Sequence, residues 1–230
     1  RQLLSRIENE KTGEIILKEL KTNIPDFRIN EVKEHVSVLG QEIETEFPWV
    51  DQLKPSTKDK VEGVLRKTWR PALSVVGANG LPSSENAGNV LRPYTELQLS
   101  IRIPPLVDHD KAKNSVLSAL TSKPPYGSKV TISFDKPASG WSAPKTKPWL
   151  SKSIMQASKH FFGQPSCSLG EGGTIPFMAM LGKQFPNAQF VITGVLGPGS
   201  NAHGPNEFLH IPYAKKLTAC ISLILKDFRE

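Results

Sequence analysis

The spacing of apolar and polar positions changes character along the chain. Leu3, Leu4 and Ile7, then Ile15, Ile16 and Leu20, fall at helical spacing, with Lys11-Thr-Gly13 dividing them into two helical pieces. Residues 21 to 57 are mixed in polarity and weakly periodic, which predicts an insertion or a loosely helical excursion. A helix is predicted from Thr57 to Thr68, opened by the Ser56-Thr-Lys-Asp59 capping run. Ala72 to Gly77 reads as a strand, and Asn79-Gly80 with Leu81-Pro-Ser-Ser84 as turn and loop. Tyr94 to Ile103 alternates strictly, placing Leu97, Leu99, Ile101 and Ile103 on one face and Glu96, Gln98, Ser100 and Arg102 on the other. Pro104-Pro105 stops it. Asp108 to Thr121 reads as an amphipathic helix with Ala112, Val116, Leu117 and Leu120 apolar, and Lys129 to Asp135 as a further alternating strand.

Residues 139 to 149 are rich in Pro, Lys and Ser and mark a linker. Beyond it come a helix from Leu150 to Phe162 ended by Gly163, and a short helix from Ile175 to Leu181. A buried strand is predicted from Gln189 to Thr193, and a closing helix from Pro205 to Lys226. The first part therefore predicts an α+β module with an antiparallel sheet, and the second part of an α/β layer. No internal repeat or low-complexity tract is visible.

Composition narrows the classes. The 230 residues are 38% hydrophobic and 22% charged, ordinary for a globular protein, and long enough for one or two cored domains. No apolar run approaches the ~18 residues of a membrane span. The chain opens Arg1-Gln-Leu-Leu-Ser-Arg6, with no leader pattern and no Met, so its native start is expected upstream. The formal charge of +7 is scattered rather than striped with aromatics, which predicts no nucleic-acid partner. Salt-dependent retention on a polyanion would contradict that. Cys167 and Cys220 form no CxxC pair. Either a disulfide or two reduced thiols of a cytoplasmic protein would fit.

Candidate chemistry gathers in two small-residue loops. Gly197-Pro-Gly-Ser-Asn-Ala-His-Gly-Pro-Asn-Glu207 lies between a predicted strand and a helix, where α/β sheets build sites, and it presents His203, a neutral imidazole suited to zinc. A surface loop histidine is the plainer alternative. Glu207 would support the first turn of the closing helix. Gly170-Glu-Gly-Gly-Thr174 places Glu171 and Thr174 at a helix entry, where backbone amides can meet a ligand carboxylate; a plain entry turn is the alternative. Arg102 is either a solvent-facing strand residue or a bidentate clamp on a carboxylate. His35, His109, His160 and His210 show no paired ligand spacing, and no HExxH, Walker, GxSxG or dinucleotide motif is present.

Several segments, in order, carry a resemblance. They are Trp69-Arg-Pro-Ala-Leu-Ser74, Gly88-Asn-Val-Leu91, Leu99-Ser-Ile-Arg-Ile-Pro104, Lys147-Pro148-Trp149, Gly170-Glu-Gly-Gly-Thr-Ile-Pro176 and Ala202-His-Gly-Pro-Asn-Glu207. Together they resemble the carnosine-dipeptidase and aminoacylase-type family of co-catalytic zinc metallopeptidases, over residues 69 to 230 and only weakly over 21 to 57. The resemblance implies that His203 is a zinc ligand. It implies that Glu171 and Thr174 contact substrate, that Arg102 clamps the substrate carboxylate, and that Asn89 is a lid residue reaching the partner subunit's active site.

The family's H-x-D motif, its Glu-Glu pair holding the general base, and a lid histidine have no counterpart here. The chain therefore resembles the C-terminal half of such an enzyme. The implied architecture is a lid and dimerisation domain over residues 1 to 138, its first strand missing, and the C-terminal part of a catalytic domain over 139 to 230. The parent would use zinc, two ions in the complete enzyme or another divalent metal, to hydrolyse dipeptides or N-acyl amino acids. It would act as a cytoplasmic homodimer with no nucleic-acid or membrane partner. This chain alone would be inactive. The alternative is a non-enzymatic dimerisation module with a vestigial site.

Overall fold

The structure, a computed structural model, describes residues 1–40, 49–135, 140–171, 176–197 and 199–228. It is a mixed helical protein with a two-stranded antiparallel sheet.

The first twenty residues do not form the two expected helices. They make short 3-10 turns at Leu4–Arg6 and Lys18–Leu20, joined by a reversal that pairs Glu8 with Ile15 in a single antiparallel bridge. The reason is local. The Asn9 side chain accepts the amides of Lys11 and Thr12 at 2.9 and 3.2 Å, a turn that competes with helix, and Gly13 takes a φ of +68°. The apolar spacing still reports burial, because Ile7, Ile15 and Leu20 are almost fully enclosed.

The weakly periodic stretch holds a regular helix, α1, at Asp26–Leu39. It packs against α2 at Lys60–Thr68, sharing a core of Val32, Val64, Leu65 and Trp69. Asp59 caps α2 by accepting the amides of Val61 and Glu62 at 2.9 and 3.3 Å, as the capping run predicts.

Strands β1 (Ala72–Asn79) and β2 (Glu96–Arg102) pair antiparallel, from Ala72 opposite Arg102 to Asn79 opposite Glu96. A register irregularity between Val75 and Gly77 inserts Val76 as a bulge. The predicted faces hold: Leu73, Ile101 and Ile103 pack on the core formed with α3, and Arg102 lies on the opposite face.

Helix α3, His109–Thr121, is capped by Asp108 and buries Ala112, Val116 and Leu120. Its C-terminal end is held by Arg6, whose guanidinium donates to the carbonyls of Ala119, Ser122 and Lys123 at 3.0, 2.7 and 2.9 Å. A cation there meets the negative end of the helix dipole.

Among the described residues the expected strand at 129 to 135 does not form: the segment takes part in no ladder and none of its backbone groups enters a backbone hydrogen bond. Its alternation survives only as packing, with Ile132 against the α3 core.

Helix α4, Pro148–Phe162, ends at Gly163 in the left-handed region (φ +72°), as the sequence predicts. Helix α5 is Pro176–Gln184 and α6 is Ile211–Asp227. Leu150, Ala157, Cys220 and Ile224 form the core between α4 and α6, with the Ser153 hydroxyl donating to Asp227 at 2.7 Å.

The closing helix is corrected: it begins at Ile211 rather than Pro205, capped by the His210 ring accepting the Tyr213 amide at 3.0 Å. Asn206, at φ +59°, turns the chain out of helical geometry before it, leaving Phe208 and Leu209 outside and exposed. Among the described residues the segment 189 to 193, expected as a buried strand, enters no ladder, and Val191 and Ile192 are exposed. Among the described residues this part contributes helices and no α/β sheet.

Leu150→Ala, at a side chain 2% exposed, is expected to cost about 2–5 kcal/mol in urea unfolding, against within about 0.5 kcal/mol for Leu91→Ala, whose side chain is 100% exposed.

The amide bonds from Lys111 and Asp110 hold the Asp108 carboxyl below the ordinary carboxylate range. A depressed folded pKa means this cap stabilises above the ordinary range and is lost as pH falls through the lowered value. Asp108→Ala should therefore lower the melting temperature at neutral pH, and the gap to the parent chain should close in acid.

Candidate functional site

The His203 loop is a compact, self-bonded turn. The Ser200 hydroxyl, buried, donates to the Gly197 carbonyl at 2.7 Å. The Gly204 amide donates to Asn201 at 2.9 Å, and the Asn201 side-chain amide to the Pro205 carbonyl at 2.6 Å. The Phe208 amide returns to the Ser200 carbonyl at 3.2 Å and closes the loop.

Within this short span Asn201, His203 and Asn206 all take positive φ, at 52°, 61° and 59°. Each non-glycine residue in that region costs about 1–2 kcal/mol. Asn and His tolerate it better than most, and such strain clusters where a side chain must be aimed. The outcome is an exposed imidazole on a constrained backbone.

Glu207 does not support the closing helix, which starts four residues later. Its carboxylate instead accepts the His203 backbone amide at 3.2 Å. It reinforces the turn that holds the imidazole.

The other candidate residues are dispersed. Glu171 is exposed and follows Gly170, which lies against the end of α2: a Cβ added to Gly170 would stand 3.1 Å from Thr68. Thr174 lies outside the described residues. Arg102 closes one end of the ribbon, opposite Ala72. Asn89 sits in the loop that leaves the ribbon at its other end, where Asn79 pairs with Glu96. At ~3.4 Å per residue those ends are about 20 Å apart. The ribbon thus carries Arg102 and the Asn89 loop at opposite ends.

A hollow of about 450 Å³ between the first reversal and α2 is lined by Glu14, Glu62, Arg66, Trp69 and Arg70, among others, and by none of the candidate residues.

The donor set decides what the chain can hold by itself. His203 offers one nitrogen. Among the described residues no group of three His, Cys, Asp or Glu side chains converges where a metal could sit. A catalytic zinc takes three protein ligands, so the described residues do not make a complete zinc centre, and no catalytic step is assigned through one.

Sequence reasoning missed one feature. The Cys167 thiol lies 3.7 Å from Nδ1 of the buried His35, joining the segment after α4 to α1. Burial, with Glu34 nearby, pushes the Cys167 thiol up. Cys167 and Cys220 are not bonded to each other.

Comparison with known proteins follows the same lines. No family model matches the chain. The chain is 28% identical over 152 residues to a cysteinylglycine-S-conjugate dipeptidase of Corynebacterium striatum, covering 64% of this chain and 33% of that protein. Its fold matches human carnosine dipeptidase 1 with a TM-score of 0.71 at 19% identity, over 98% of this chain and 48% of that one. It matches the dipeptidase Dug1p of Saccharomyces cerevisiae with a TM-score of 0.69 at 18% identity, over 100% and 48%. It matches an M20 family metallo-carboxypeptidase of Sulfolobus solfataricus with a TM-score of 0.68 at 16% identity, over 97% and 50%. The resemblance read from the sequence is borne out, and the chain spans a third to a half of the proteins it matches.

Glu207→Ala should speed hydrogen exchange of the His203 amide by on the order of tenfold, the worth of one hydrogen bond to a charged group, and leave α6 amides unchanged.

Proposed function

We propose that this chain supplies the lid and dimerisation region, residues 1–138, and the closing part of the catalytic domain, residues 139–230, of a zinc-dependent peptidase acting on dipeptides or N-acyl amino acids. The observation that carries the reading is the near-complete match of this chain to half of two dipeptidase structures. The constrained His203 loop supports it.

In this reading His203 is one metal ligand, and the remaining ligands and the general base come from outside the chain. Glu171 and Thr174 contact the substrate beside the metals. Arg102 pairs with the substrate carboxylate through its planar guanidinium. Asn89 serves the partner protomer's site in a homodimer, which the opposite placement of Asn89 and Arg102 on the ribbon favours. The free cysteines favour a reducing compartment such as the cytoplasm. Among the described residues no helix is long and apolar enough to cross a membrane.

A second reading, a dimerisation module without chemistry, draws on the loop between β1 and β2. There Val90, Leu91 and Tyr94 are 65, 100 and 58% exposed, an apolar surface suited to a partner.

Release of free amino acid from dipeptides by purified protein separates the readings. The 230-residue chain alone is expected to show no chelator-sensitive turnover. A chain that also carries the other half of the fold should turn over dipeptides with zinc. There His203→Ala should cost at least about a hundredfold, beyond the range seen for residues that merely orient ligands. Full activity in that variant would remove His203 from the metal site.

A further inference from the structure

Glu171 is delivered by the run from Gln164 to Gly170, which belongs to no helix or strand. Among the described residues no backbone–backbone hydrogen bond reaches this run. Side chains hold it instead, at every third residue. The Ser158 hydroxyl of α4 donates to the Gln164 carbonyl at 2.9 Å. The Cys167 thiol lies 3.7 Å from Nδ1 of His35 on α1. Gly170 lies against Thr68, the last residue of α2.

The contact at Gly170 leaves little room for a side chain. A Cβ there would stand 3.1 Å from the Thr68 methyl and 3.2 Å from the Thr68 Cβ. Gly170 is not among the glycines of positive φ, so what glycine supplies here is close approach rather than backbone freedom. The Thr68 hydroxyl is turned onto its own helix, donating to the Val64 carbonyl at 2.8 Å.

The support is itself firm. Helices α1 and α2 share the core of Val32, Val64, Leu65 and Trp69. The Lys60 ammonium donates to the Gly40 carbonyl at 2.8 Å, joining the start of α2 to the end of α1. His35 is buried. Arg28, seven residues earlier and so on the same face of α1, donates to the Ala143 carbonyl. One face of α1 thus grips the later part of the chain both at 143 and at 167.

We infer that the α1–α2 pair positions Glu171 for substrate, with His35 and Thr68 as positioning residues that act through Cys167 and Gly170. Substrate binding at Glu171 is then governed by residues of the 1–138 region. The inference rests on the proposed function for what Glu171 touches; the support itself is read from contacts that do not depend on it.

Backbone amide order parameters of the 230-residue chain test the support. Glu171 should be as rigid as the helices, at about 0.85, and should fall below about 0.6 in Cys167→Ala and in Gly170→Ala. A parent chain in which Glu171 is already that mobile, or variants that leave it rigid, would overturn the inference.

In a chain that also carries the other half of the fold, with zinc, each variant should raise KM for a dipeptide about tenfold, the worth of one hydrogen bond to a charged group, and leave kcat within about twofold. Thr68→Gly should restore KM in the Gly170→Ala chain, because it returns the room that the new methyl takes. An unchanged KM, or a loss confined to kcat, would overturn the inference, as would a Gly170→Ala defect that Thr68→Gly does not relieve. No hydrolysis by the unsubstituted longer chain would defeat the proposed function instead, and the order parameters would then decide the support alone.

Discussion

Every amide and carbonyl taken from water must find a partner, and that demand organises this molecule. A helix meets it within its own segment, apart from its ends. An extended segment cannot, because its partners must come from elsewhere in the chain or from another one. The helices α1 to α6 are therefore complete units here, and Asp59, Asp108, Gly163, His210 and Arg6 serve their open ends. Among the described residues, of the four strand-like segments the sequence marks, β1 and β2 find each other, while 129–135 and 189–193 keep their apolar pattern and enter no ladder.

That asymmetry explains what was legible from residues alone. Helix ends written in local chemistry could be read directly: Asp108 before α3, Asp59 before α2, Gly163 after α4. Period-two alternation gave the correct faces of β2, since Ile101 and Arg102 do divide between core and outside. Apolar spacing at 3–20 gave the buried residues but the wrong backbone, because an Asn9 turn and Gly13 override a helical pattern that Ile7, Ile15 and Leu20 also satisfy when folded back. Helix α1 was missed for the opposite reason: it buries only Val32 and His35, too narrow a stripe to produce a clear period.

The candidate site divides along the same line. The His203 loop could be found because its chemistry is local: small residues, an imidazole and a nearby carboxylate in one short run. The sequence did not show that Glu207 turns inward to the His203 amide instead of outward to a helix, since that depends on Asn206 breaking helical geometry first. Nor could local spacing show that Cys167 reaches His35 across 132 positions.

Strain at the His203 loop bears on where function lies. Three non-glycine residues in left-handed geometry within six positions would be costly for a loop that only links two elements, when glycines at the same places would relieve it. Such a backbone persists when its surroundings over-determine it, and here Ser200, Asn201 and Glu207 each contribute a bond to the turn. Yet the imidazole so positioned faces solvent. Among the described residues no backbone hydrogen bond reaches the preceding segment, 189–196. The turn is therefore held by its own bonds rather than by the elements on either side of it.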